Sequence, residues 1–102
     1  MLGKNFLHPT QSYWDALEDI CAPLGDAEDE FLEALDNAIR KLEDYRWDGS
    51  LHIEPHGHTG SEFSLVIDEE FRLVFIRETY RADEGKTIKS IHLTLIDIEP
   101  VP

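Results

Sequence analysis

Apolar residues recur every third or fourth position through the first half of the chain and every second position through much of the second half. The stretch "PTQSYWDALEDICAPLG", residues 9–25, places Tyr13, Leu17, Ile20 and Cys21 at helical spacing. Ser12 is its expected N-cap with Asp15 three residues on, and Pro23 and Gly25 end it. "DAEDEFLEALDNAIRKLEDYRW", residues 26–47, predicts the longer helix. Phe31, Leu35, Ala38, Leu42 and Tyr45 form one apolar stripe, widened by Leu32 and Ile39. Asp26 is its expected N-cap. Glu28, Asp29 and Glu30 stand where the helix dipole favours negative charge, and Arg40 and Lys41 follow in the second half.

From residue 50 the period changes to two. "SLHIE" is a short strand. "SEFSLVID" alternates Phe63, Leu65 and Ile67 against Ser64 and Val66, and "EFRLVFIRE" alternates Phe71, Leu73 and Phe75 against Arg72, Val74 and Ile76. "DEE" between them predicts a tight turn. "KTIKSIHLTLIDIE" carries Ile91, Leu93 and Leu95 on one face and His92, Thr94, Ile96 and Ile98 on the other. "YRADEGK" predicts a hairpin loop, with Gly85 available for a positive φ. The expected fold is α+β: two N-terminal helices packed on one face of a three- or four-stranded antiparallel sheet, as a single domain over residues 1–102. Trp14 and Phe31 are expected in its core.

Charge changes this picture most. Nine Lys and Arg face 22 Asp and Glu, a net of −13. The first 50 residues hold four basic and twelve acidic side chains and the remainder five and ten, so the excess is spread along the chain. Such a surface repels the phosphate backbone, which disfavours direct nucleic-acid binding and favours a basic protein partner. Cys21 is the only cysteine, read as a small buried hydrophobe. The start of the chain has no signal-peptide pattern and no window approaches a membrane span, so a cytoplasmic protein is expected.

The succession of a helical "FLEALDNAIRKLE", then "EFSLVIDEEFRLVFIRE", then a hairpin and "SIHLTLIDIEP" resembles the RelE/ParE toxin superfamily, its HigB-like branch above all. The resemblance covers residues 31–99. Arg72 in "FRLVF" falls on the family's strand arginine, and Asp97 falls near the acidic position of a last strand of the type "v-x-l-x-D-x-H". Where that pattern ends in histidine this chain has Glu99-Pro100. The family opens with a strand, for which only "NFLH", residues 5–8, is available. The resemblance implies a toxin–antitoxin component acting on translation by mRNA cleavage, or on a topoisomerase, with an antitoxin protein as partner. The last strand and the groove between helices and sheet are the implied docking places. It also implies Arg72, Arg77, Arg81 and His92 as catalytic groups that stabilise a phosphorane and move protons. Whether this acidic chain keeps that activity stays open.

The stretch "LHIEPHGH" holds three of the five histidines. His56, His58 and Glu54 would make a zinc set only if the loop folded back, and no cysteine pair accompanies them. The expectation is a Gly-containing loop without metal or cofactor, with His56, His58 and Trp47 as candidate partner contacts. From a different class, an acidic chain of this size also suits an inhibitor, an immunity protein or a DNA mimic that binds a basic nuclease or nucleic-acid-binding protein.

Overall fold

A computed structural model describes residues 4–85 and 87–102; residues 1–3 and Lys86, at the end of the expected hairpin loop, lie outside the described residues. The chain runs β1 (Phe6–Pro9), α1 (Gln11–Cys21), a 3-10 turn (Gly25–Ala27), α2 (Glu28–Asp44), β2 (Ile53–Pro55), β3 (Glu62–Val66), β4 (Phe71–Ala82), a second short turn (Asp83–Gly85) and β5 (Thr87–Pro100). The five strands form one sheet in the order β1-β5-β4-β3-β2. β1 runs parallel to β5 and the other pairs are antiparallel.

This corrects the expected architecture in two respects. The sheet has five strands and is mixed, and a strand precedes the two helices. β1 is four residues long, too short to show a period, and it forms because the long β5 offers it a ladder. Thr10 then anchors the crossover: its backbone N–H and its hydroxyl both donate to the Leu95 carbonyl. β1 covers β5 only over His92–Leu95, and the outermost strands of the sheet are β1 and β2.

Both expected helix caps move. Thr10, not Ser12, caps α1, its Oγ1 accepting from the Tyr13 N–H, while Ser12 donates to the Ile96 carbonyl. α2 starts at Ala27 without a side-chain cap, because Asp26 is taken up in the preceding 3-10 turn. The other end of α2 is held from afar. Buried Asn5 donates from Nδ2 to the Leu42 and Tyr45 carbonyls at 2.7 and 2.9 Å, and its backbone N–H donates to Glu43. It thereby satisfies carbonyls that the helix leaves unpaired.

The helices cover one sheet face. Tyr13, Phe31, Leu35, Ala38 and Leu42 pack against Leu65, Leu73, Phe75, Leu93, Leu95 and Ile98 in one core. Ile98 joins that core against expectation. Val74 pairs with Asp97 and Phe75 with Leu95, so Ile96 is an extra residue, and the bulge inverts the alternation beyond it. Trp14 also departs from expectation: it is 49% exposed, on the outer side of α1, while its neighbour Tyr13 is buried. The "DEE" turn is as expected, with Asp68 Oδ1 accepting from the N–H groups of Glu70 and Phe71. The expected "YRADEGK" loop is shorter, because pairing continues to Ala82 and Thr87. This long hairpin gives the molecule extents of 50 × 26 × 24 Å and a radius of gyration of 14.5 Å, above the ~13 Å of a compact chain of this length.

Candidate functional site

The sheet face away from the helices carries three rows of paired residues: Glu62, Ile76 and Thr94; Ser64, Val74 and Asp97; Val66, Arg72 and Glu99. Ser64 and Val74 in the middle row are buried although no helix covers them. Their cover is a polar bridge. His56, from the loop between β2 and β3, hydrogen-bonds Glu62 through Nδ1 and Glu99 through Nε2, the latter at 2.8 Å. It thus spans the rows on either side of Ser64 and Val74. Arg72 reaches the same Glu99 oxygen, Oε1, with Nε at 2.7 Å and with Nη2.

The local chain explains how His56 arrives there. Its backbone N–H donates to the Glu62 carbonyl at 2.8 Å, closing the loop. Gly57 takes a φ of +71°, and a Cβ at that position would come within 3.1 Å of Glu62 Oε2. The turn that delivers His56 therefore needs glycine both for its backbone and for space.

Both partners of the imidazole are carboxylates, which accept only, so each ring nitrogen donates and the ring is the cation. The His56 pKa is raised, chiefly by the hydrogen bond to Glu62 and then by that to Glu99. Burial pushes the Glu99 carboxyl up, but the hydrogen bonds and charges of His56 and Arg72 outweigh it and lower the pKa. Two cations and two anions leave the cluster with no net charge. Among the described residues no set of His, Cys, Asp and Glu side chains is arranged to hold a metal ion. In chemical terms the cluster supplies a proton donor (His56), a proton acceptor (Glu62) and an oxyanion partner (Arg72) within one network.

The other candidates lie elsewhere. Arg77 is on the opposite, helix-covered face, stacked over Trp47 at 4.6 Å and Phe63 at 5.1 Å. Trp47 itself is half-buried against Tyr45, Phe63 and Phe75. Arg81 is exposed near the hairpin tip and His58 is exposed in the loop. His92 shares the open face with the cluster but sits farther along β5, opposite Glu78. There its Nδ1 lies 2.8 Å from Nε2 of His8 and its Nε2 lies 3.1 Å from the Ser90 hydroxyl. The His8 and His92 rings are nearly parallel with centroids 5.0 Å apart. A centroid separation so much longer than the N···N contact means that they meet edge to edge, as hydrogen-bonded partners.

Of the sequence candidates, then, the structure brings Arg72 and His56 together. It adds Glu62 and Glu99, which were missed because they lie 6 and 43 residues from His56. Glu99 carried a signal nonetheless: it occupies the position where the HigB-like pattern ends in histidine. In this chain His56, from the β2–β3 loop, hydrogen-bonds the carboxylate at that position.

This α+β fold matches that of solved YoeB/ParE-type toxins. Among solved structures, a YoeB/ParE toxin from Agrobacterium tumefaciens superposes with a TM-score of 0.64 at 20% identity, over 95% of this chain and 99% of that one. The YoeB dimer from Staphylococcus aureus gives 0.59 at 10% identity, over 93% and 94%. A copper-bound mutant toxin from Helicobacter pylori gives 0.50 at 17% identity, over 98% and 94%. No protein-family model and no curated protein matches the sequence.

Proposed function

We infer that this chain is the toxin component of a toxin–antitoxin pair and that its open sheet face cleaves RNA during translation. The observation that carries this reading is the His56–Glu62–Glu99–Arg72 cluster on a fold shared with YoeB/ParE-type toxins. In the reaction a ribose 2′-oxygen attacks the adjacent phosphorus. The bond from phosphorus to the 5′-oxygen breaks, leaving a cyclic 2′,3′-phosphate and a 5′-hydroxyl. Glu62 takes the proton of the 2′-hydroxyl, His56 gives its proton to the departing 5′-oxygen, and Arg72 holds the charge that develops on the phosphorane. The oxygen of Glu99 between His56 and Arg72 marks where a phosphate oxygen binds, so Glu99 must swing aside as substrate enters. An acid–base pair favours this target over a topoisomerase, which would be engaged through a protein-docking surface.

The net charge of −13 sets a condition on this reading. A chain so acidic does not gather RNA by counterion release. Its substrate must be held at the sheet face by contacts other than bulk charge, and the message on a translating ribosome is the substrate that this reading assigns. The same charge supports a second reading, an acidic binding protein for a basic partner, in which the cluster only holds the sheet together. An antitoxin segment on this fold has the cleft of about 370 Å³ between α2 and β3, lined by Ala34, Ala38, Leu51 and Leu65. Induced expression in a bacterial host separates the readings. The toxin reading expects growth arrest by the untagged chain, relieved by Arg72→Ala or His56→Ala at equal soluble yield. Unchanged growth with abundant soluble wild type favours the binding protein.

A further inference from the structure

The outer side of the helical layer carries a surface that the sheet face does not explain. Trp14, Leu17 and Cys21 follow one another at helical spacing along α1, and with Leu32 of α2 they line a groove of about 530 Å³. Trp14 is 49% exposed and Leu32 37%. Glu18 and Glu28 also line it. Burial and the charge of Glu28 both raise the Cys21 pKa, so the thiol stays protonated and belongs to that floor.

The surroundings select the occupant. Residues 11–39, which hold α1 and most of α2, contain nine Asp and Glu and not one Lys or Arg. A second copy of this face, an anionic membrane and a nucleic acid would all be repelled by it. An exposed tryptophan in an apolar groove whose lining also carries carboxylates is complementary to a helix that has apolar residues at i, i+3, i+4 and i+7 and Lys or Arg beside them. We propose that the groove between α1 and α2 is a docking site for a basic amphipathic helix of a partner protein. This surface is independent of the chemistry proposed for the open sheet face. Its charge preference is also distinct from what that face requires.

The probe is a labelled synthetic 18-residue peptide of lysine and leucine in helical register, compared by fluorescence anisotropy with a scrambled peptide of the same composition. Wild type is expected to bind the amphipathic peptide at least about tenfold more tightly than the scrambled one, a difference of about 1.4 kcal/mol. Leu32→Ser and the pair Glu18→Lys with Glu28→Lys each remove that preference. Glu54→Gln, which deletes one carboxylate elsewhere on the surface, keeps it. All of these positions are exposed, and circular dichroism checks that each variant is folded. Equal affinity for the two peptides would reduce the effect to bulk charge and overturn the proposal. So would a preference that survives Leu32→Ser, or a wild-type dimer in sedimentation that Trp14→Ala dissolves.

Discussion

Glu99 Oε1 accepts from three nitrogens, one of His56 and two of Arg72. That crowding couples the cluster to pH. The His56 pKa is raised above its ordinary 6.5, so the stability that it contributes is fully present below about pH 6.5 and is lost as pH rises through the folded-state value. The Glu99 pKa is lowered below 4.5, so its contribution is present above about pH 4.5 and is lost as pH falls through the folded-state value. The cluster is therefore strongest between about pH 4.5 and 6.5. Thermal melts from about pH 5 to pH 9 should show wild type losing stability on the alkaline side relative to His56→Ala, the two curves converging as pH rises. Parallel curves would mean that the imidazole is not held as the cation. Arg72 was legible through the family resemblance, and His56 was singled out only as a partner contact in a histidine-rich loop. The carboxylates were not, because pairing across the sheet joins residues that nothing local connects.

Long periodic segments declare themselves and short ones do not. α2 and strands β3 to β5 were visible from their apolar period, whereas β1 has four residues and borrows its structure from β5. Caps are also tertiary here. Thr10 bonds both its own helix and Leu95, and Asn5 bonds the far end of α2. Ser12 and Asp26 fit the local cap preferences equally well, but the chain path takes them elsewhere. The two true caps differ in what their loss leaves behind. Thr10→Ala should cost about 1 kcal/mol, as caps do. Asn5→Ala strands buried carbonyls of Leu42 and Tyr45 and should cost about 1–3 kcal/mol. Denaturant unfolding of the two variants checks the order. An Asn5→Ala variant less affected than Thr10→Ala would contradict the role given to Asn5. The bulge at Ile96 is the remaining element-level surprise. An inserted residue leaves no mark on an alternating pattern until its partner strand is known, which is why Ile98 was placed on the wrong face.

At the scale of the molecule, the two proposals fall on two separate surfaces. The His56–Glu62–Glu99–Arg72 cluster on the open sheet face carries no net charge of its own, while residues 11–39 of the helical layer hold nine Asp and Glu and no Lys or Arg. The net charge was legible from composition, but its segregation follows from how the helices pack. An acidic body makes the chain a poor collector of free RNA, so the proposed cleavage requires a substrate delivered by other contacts. The most direct test of the account is therefore cleavage in a translating mixture. Purified untagged protein would be added to a cell-free bacterial translation reaction, and the ends of the message mapped. The account predicts cuts on the translated message that disappear with His56→Ala and with Arg72→Ala, and fewer or none on the same RNA without ribosomes. Intact message in the presence of folded wild type, or cuts that survive both substitutions, would contradict it.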